Sequence, residues 1–109
     1  MDISTMAPLQ AAISGLKASQ TRVDVAAHDV ANINTPDFRD YQPVQTETLP
    51  SGTQISALTR GPQPPPGESG TDFAVEASQL MIGRSSYKAD ASVIKVQDQM
   101  LGELLDMKA

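Results

Sequence analysis

Hydrophobic residues recur every three or four positions in the first third of the chain, which is the spacing of one face of an α-helix. The pattern stops before Thr35, because the proline that follows disfavours helical backbone at that residue. Pro8 fits only a first turn, so we predict a helix that begins near residues 5–8 and ends near residues 32–34. The stripe consists of Met6, Leu9, Ile13, Leu16, Gln20, Val23, Ala27 and Val30.

The last third of the chain repeats the pattern with a seven-residue period. Asp72 precedes it and is a natural N-cap, since a carboxylate can accept hydrogen bonds from the first free amides of a helix. We therefore predict a second helix over residues 72–109. Its strong track is Phe73, Leu80, Tyr87, Ile94 and Leu101, and its weaker companion track is Ala77, Arg84, Ala91, Asp98 and Leu105.

Both stripes have two interpretations. The simpler one is core packing between the two helices within one chain. The other is packing against neighbouring subunits, since two paired helices bury only their facing sides. The two interpretations are compatible. Four apolar residues of the second helix lie outside the pairing track and favour contacts with neighbouring subunits in addition to core packing. They are Val93, Val96, Met100 and Leu104.

The middle of the chain cannot be helical, because it holds seven of the eight prolines and four of the seven glycines. Segments 44–49 and 53–58 favour β-structure and flank a Pro50-Ser51-Gly52 turn signal, but an isolated two-stranded hairpin is marginal. We predict an all-α fold: two long amphipathic helices forming a coiled-coil-like hairpin, joined by an extended Pro-rich loop in which a short β-hairpin is an option. We expect residues 1–109 to form one domain, with the N-terminal helix in 1–35, the connector in 36–71 and the C-terminal helix in 72–109.

Composition restricts the chemistry. The 109 residues carry 8 basic and 13 acidic side chains, a net charge of −5, which argues against a nucleic-acid partner. Cysteine is absent and His28 is the single histidine, so thiolate and multi-histidine metal sites are excluded, and the acidic residues show no calcium-loop spacing. No apolar run approaches the roughly 18–20 residues of a membrane span.

His28 beside Asp24 or Asp29 could form a general base, but we interpret it as a polar-face histidine. We expect no catalytic residue, no cofactor, no metal, no membrane insertion and no enzymatic activity.

Residues 23–39 are a more specific indication of function than the composition. They resemble the signature of bacterial flagellar rod and hook proteins, roughly L-D-x-I-A-N-N-I-A-N-x-N-T-P-G-Y/F-K/R. The chain departs from it at His28 and Asp29, where the family usually has Asn, and at Asp37, where it favours Gly. Segment 86–105 resembles the family's C-terminal helix. The matching positions are Asp24, Ala27, Ala31, Asn32, Asn34, Thr35, Pro36, Phe38 and Arg39.

The resemblance, which is greatest to the small proximal-rod subunits, implies a structural axial subunit of the flagellar basal-body rod. Such subunits assemble with themselves and with other axial proteins through their terminal helices. They are exported by the flagellar type III apparatus without a cleaved signal peptide, which fits the absence of a basic segment in the first six residues. The alternatives are a reduced paralogue acting as an adaptor or regulator, and a cytoplasmic coiled-coil module.

Overall fold

The computed structural model describes residues 3–49 and 51–108 and contains two helices and two strands. Helix α1 spans Ile3–Ala31, strand β1 Tyr41–Glu47, strand β2 Thr53–Arg60 and helix α2 Phe73–Lys108. The helices lie antiparallel, since Gly15 of α1 lies beside Asp90 of α2 and Gly83 lies beside Val23. The molecule is accordingly elongated, with extents of 68 × 23 × 14 Å. Neither helix is long and apolar enough, within the described residues, to cross a membrane.

The all-α prediction was wrong, because the connector contains a β-hairpin. About 60% of the chain is helical and 15% is in strands. Strands β1 and β2 pair antiparallel, with Tyr41 opposite Arg60 and Glu47 opposite Thr53. Pro50 of the predicted turn lies outside the described residues.

The hairpin forms because α1 supports it. The Oγ atom of Ser14 on α1 accepts a hydrogen bond from the Thr53 amide at 3.1 Å, at the start of β2. The guanidinium of Arg22 donates to Gln45 Oε1 on β1 at 3.0 Å and to Gln79 Oε1 on α2 at 2.9 Å. The helix thus provides the third element that a two-stranded hairpin needs for stability.

The helix boundaries are close to the predictions except at the start of α1. That helix begins at Ile3, so Pro8 lies inside it and not in its first turn. Proline removes one intrahelical hydrogen bond, but its fixed φ is compatible with helical backbone. The other end of α1 is as predicted to within a residue, and α2 begins directly after Asp72, whose Oδ1 atom accepts a hydrogen bond from the Ala74 amide at 3.0 Å.

The seam between the helices is built from small residues and is offset by one position from the predicted stripe of α1. Gly83 is buried, and a Cβ atom there would lie 2.8 Å from Cγ2 of Val23. The predicted stripe lies at the margin of this seam, with Leu9, Leu16, Val23 and Val30 half-buried and Ile13 41% exposed. Core packing of the helix pair therefore accounts for this stripe only in part. The buried residues of α1 are Ala12, Gly15, Ala18, Ser19, Val25, Ala26 and Asp29.

On α2 only part of the strong track contributes to the seam, and of the companion track only Ala77 is half-buried. Phe73, the first residue of the strong track, is 60% exposed. Leu80, Ile94 and Leu101 are half-buried, whereas Tyr87 and Leu105 are exposed. Arg84, Ala91 and Asp98 are exposed as well. The partners of the strong track in the seam are Glu76, Gly83, Asp90 and Gln97, one position before the predicted companions.

Candidate functional site

The family motif folds into a tight turn at the end of α1. The side-chain amide of Asn32 donates to the His28 carbonyl at 2.9 Å, and its backbone amide donates to the Asp29 carbonyl at 3.1 Å. The Thr35 hydroxyl donates to Asn32 Oδ1 at 3.0 Å. Asn32 thus uses one of the free carbonyls of the last helical turn, which is how a polar side chain ends a helix. The other motif residues of this turn, Ala31, Asn34, Thr35 and Pro36, are exposed.

Asp37 gives this turn its geometry. It has a φ of 62°, in the left-handed region where glycine is the favoured residue. Its amide donates to the Glu68 carbonyl at 2.8 Å, and its Oδ1 atom accepts from the Gly67 amide at 3.1 Å. The turn therefore fastens the end of α1 to the loop that leads into α2.

His28 belongs to an aromatic cluster, and among the described residues its ring makes no hydrogen bond with a carboxylate. Its ring centroid lies 5.5 Å from that of Tyr41 and 5.9 Å from that of Phe38. The guanidinium of Arg60 stacks on Tyr41 at 4.1 Å. Asp24 accepts a hydrogen bond from Gln20 instead. The general-base arrangement considered from the sequence is therefore not assembled.

Three buried carboxyl groups meet where α1, the hairpin and α2 converge. Asp29 is 0% exposed, Glu76 4% and Asp40 8%, and one oxygen atom from each lies within 4.8 Å of the others. Asp29 Oδ1 accepts a hydrogen bond from the Tyr41 amide at 2.9 Å, and Asp40 Oδ2 accepts from Gln42 Nε2 at 3.2 Å. Asp29 Oδ2 is buried and, unless Glu76 is protonated and donates to Asp29, has no donor among the described residues.

The three carboxyl groups, to which we refer as the acidic cluster, are unfavourable as anions. Burial, followed by the charge of Asp29 and the hydrogen bond with it, raises the pKa of Glu76 to about 7, and the charges of Asp40 and Asp72 add to the effect. Burial also raises the pKa of Asp29, against the lowering effect of the Tyr41 amide. The cluster therefore needs either a proton or a cation.

The sequence did not predict the acidic cluster. Its members are separated by 11 and 36 positions, and only the fold brings them together. The one local signal was Asp29, which stands in a motif position usually held by Asn. The absence of calcium-loop spacing in the sequence therefore does not exclude an acidic cluster that the fold assembles.

Large apolar side chains cover an exposed face of α2. Val93, Val96, Met100 and Leu104 are between 40% and 53% exposed. They recur three or four positions apart, so they share one side of the helix. The tip of the hairpin reaches Ser14, whose neighbour Gly15 lies beside Asp90, so this face continues beyond the hairpin. We call these four residues the outer face.

A second apolar surface is a groove of about 540 Å³ between the helices. It joins members of the two predicted stripes, namely Val23 of α1 with Leu80 and Tyr87 of α2. Polar side chains form its rim. The full lining consists of Gln20, Val23, Leu80, Arg84, Tyr87 and Lys88.

Comparison with known proteins agrees with the family resemblance that the motif indicated. Residues 9–39 match the family model described as flagella basal body rod protein. No curated protein matches the chain significantly. The matched segment contains most of α1, the motif turn and Phe38. The family is structural and not enzymatic, and its place is the flagellar basal body, so the match supports a basal-body rod component. The match over residues 9–39 thus confirms, for that segment, the resemblance to the flagellar basal-body rod family that the sequence indicated.

Proposed function

We propose that this chain is an axial subunit of the flagellar rod that assembles with copies of itself and with other axial proteins through its two long helices. The observation that carries the proposal is the uncovered apolar surface of α2, in a chain whose α1 bears the rod-family segment. At about 100° per residue, Leu80, Arg84 and Tyr87 of the groove lie on a different side of α2 from the outer face. One subunit therefore offers two distinct contact surfaces.

Two different contact surfaces favour a filament. When a surface on one subunit binds a different surface on the next, the contact repeats, and it produces an open helical assembly unless the rotation closes a ring. Burial of aliphatic side chains contributes about 25 cal/mol per Å² of apolar area removed from water. Assembly would thus stabilise side chains that the isolated chain exposes.

In this proposal the predicted stripes form contacts between neighbouring subunits. Leu9, Leu16, Val23 and Val30 at the margin of the seam, together with Ile13, would complete their burial against a neighbour. Leu80, Tyr87, Ile94, Leu101 and Leu105 would do the same on α2. The motif turn at Ala31, Asn32, Asn34, Thr35, Pro36 and Phe38 would hold the helices and the hairpin at a fixed angle for these contacts. Export through the flagellar type III apparatus without a cleaved signal is part of the same proposal.

The test is the composition of purified basal bodies. Hook–basal bodies extracted with detergent from the native cells should contain an epitope-tagged form of this chain in fixed stoichiometry. A strain lacking the flagellar export apparatus is the matched control, and there the chain should accumulate inside the cell. Basal bodies that lack the chain, together with a discrete oligomer in the cytoplasm, would contradict the proposal and favour an adaptor or regulator.

A further inference from the structure

We propose that the acidic cluster of Asp29, Asp40 and Glu76 binds a divalent, oxygen-preferring cation, with calcium as the best fit. The inference is independent of the proposed rod function. It rests on two observations: three carboxyl groups that are each more than nine-tenths buried and lie together, and a fully buried Asp29 Oδ2 atom that no described donor satisfies while Glu76 is ionised.

Charge favours a divalent cation over a proton. With all three carboxyl groups ionised, the cluster carries −3. A single proton, shared between Glu76 and Asp29, reduces this to −2 and leaves two anions side by side. A divalent cation reduces it to −1 while satisfying oxygen atoms of all three groups. Uncompensated buried charges are among the most expensive features in a protein, so the larger compensation stabilises the fold more.

Geometry favours calcium over magnesium. Two oxygen atoms bound to one Ca²⁺ at 2.3–2.6 Å can lie up to about 4.6–5.2 Å apart, whereas Mg²⁺ at 2.0–2.1 Å limits them to about 4.0–4.2 Å. The oxygen atoms of the acidic cluster lie within 4.8 Å of one another, which is inside the calcium range, and Ca²⁺ accepts irregular ligand geometry whereas Mg²⁺ demands a near-ideal octahedron. Carboxylate oxygens are hard ligands of the type calcium prefers.

The surroundings hold the carboxyl groups in place and leave a path to solvent. Gly61 is buried, and a Cβ atom there would overlap Oδ1 of Asp40, so only glycine leaves room for this carboxylate. Asp40 and Glu76 line a cavity of about 190 Å³, which can supply water ligands. Arg22 lines the same cavity, but its guanidinium is engaged by Gln45 and Gln79.

A bound cation would fasten three elements at one point. Asp29 lies in the last turn of α1, Asp40 immediately precedes β1, and Glu76 lies in the first turn of α2. Each of the three carboxyl groups is buried, and burial of a carboxylate does not by itself stabilise the segment that carries it. The consequence is a fold whose junction is tighter when the divalent cation is present.

The experiment is thermal unfolding of the purified full-length chain, followed by circular dichroism, in EDTA, in 10 mM CaCl₂ and in 10 mM MgCl₂ at matched ionic strength. Weak calcium sites have dissociation constants of about 10⁻⁴–10⁻³ M, and at this affinity 10 mM calcium should raise the folded-to-unfolded ratio roughly 10- to 100-fold. Magnesium should have a smaller effect. Isothermal titration with CaCl₂ should give a saturable isotherm with one site.

Two variants assign the effect to the acidic cluster. Glu76→Gln should abolish the calcium response, and Asp29→Asn should do so independently if the first variant fails to fold. Glu103→Gln is the matched control, because Glu103 is exposed on the same helix, and it should keep the response. A wild-type chain with no calcium response would overturn the proposal and leave the cluster with a proton only. So would an equal response in wild type and Glu76→Gln. An equal response to magnesium would overturn the assignment to calcium.

Discussion

Asp37 shows how a single residue preserves the motif turn in the absence of the glycine that the family favours. Its left-handed backbone is costly for most residues with a side chain, whereas aspartate tolerates it because its carboxylate can bond nearby backbone. Here that carboxylate accepts from the Gly67 amide, across 30 positions. The side chain thus offsets strain that its own Cβ atom introduces.

We predict that Asp37→Ala lowers the free energy of unfolding by about 1–2 kcal/mol, because alanine keeps the left-handed strain and loses the hydrogen bond. Asp37→Gly should remain within about 1 kcal/mol of wild type, since removal of the strain offsets the lost bond. Asp37→Asn keeps an acceptor oxygen and is the control. Urea unfolding measures all three. Equal losses for the alanine and glycine variants would show that strain plays no part.

At the scale of elements, the seam between the helices depends on a close approach at Gly83. This residue has a direct counterpart in Gly102 on the same helix. A Cβ atom at Gly83 would press on Val23, whereas nothing lies within 4 Å of one at Gly102. The two glycines therefore separate the effect of packing from the effect of helix propensity.

Gly83→Leu should lower the free energy of unfolding by about 1–3 kcal/mol, because the side chain would force the helices apart. Gly102→Leu should raise the free energy of unfolding by up to about 1 kcal/mol, since leucine favours helix more than glycine does. Denaturant unfolding followed at 222 nm gives both values. If both substitutions stabilised the chain to a similar degree, the close approach at Gly83 would not be a constraint.

The seam also shows why the sequence predicts the helices better than it predicts their packing. Asp72 and the proline after Thr35 are local signals, and both helix ends they mark are found within a residue. The seam is different, because Ala12, Gly15 and Gly83 contribute little to a hydrophobic pattern. A hydrophobic pattern gives most weight to large side chains, so it predicted a face of α1 that lies one position away from the buried face.

The hairpin and the acidic cluster depend on distant residues, which a local pattern does not contain. Thr53 hydrogen bonds with Ser14 across 39 positions, and without that support two short strands are marginal. Asp29 and Glu76 meet only once both helices have packed. In each case the deciding contact is tertiary, so composition and periodicity made the hairpin only an option and gave no sign that these acidic residues meet.

The whole molecule is a narrow helix pair with the hairpin on one part of it, and the outer face begins beyond the hairpin. Because Val93, Val96, Met100 and Leu104 are already substantially exposed, a polar substitution among them should leave the isolated chain folded. Surface substitutions usually change stability by less than about 0.5 kcal/mol. The same substitution would be costly in an assembly, where a charge would be buried without a partner.

We therefore predict that Met100→Glu weakens self-association of the purified chain at least roughly tenfold, which corresponds to about 1.4 kcal/mol. Gln99→Glu is the matched control, since it adds the same charge at an adjacent exposed position that points about 100° away along the helix. Sedimentation velocity over a concentration series measures association, and circular dichroism checks that both variants keep wild-type helicity. Because glutamate, methionine and glutamine have similar helix propensities, neither change should alter α2 itself.

Equal weakening by the two variants would point to net charge as the cause and would remove the outer face from the assembly surface. Weakening by Met100→Glu alone would show that the exposed apolar residues beyond the hairpin are where copies of this chain meet.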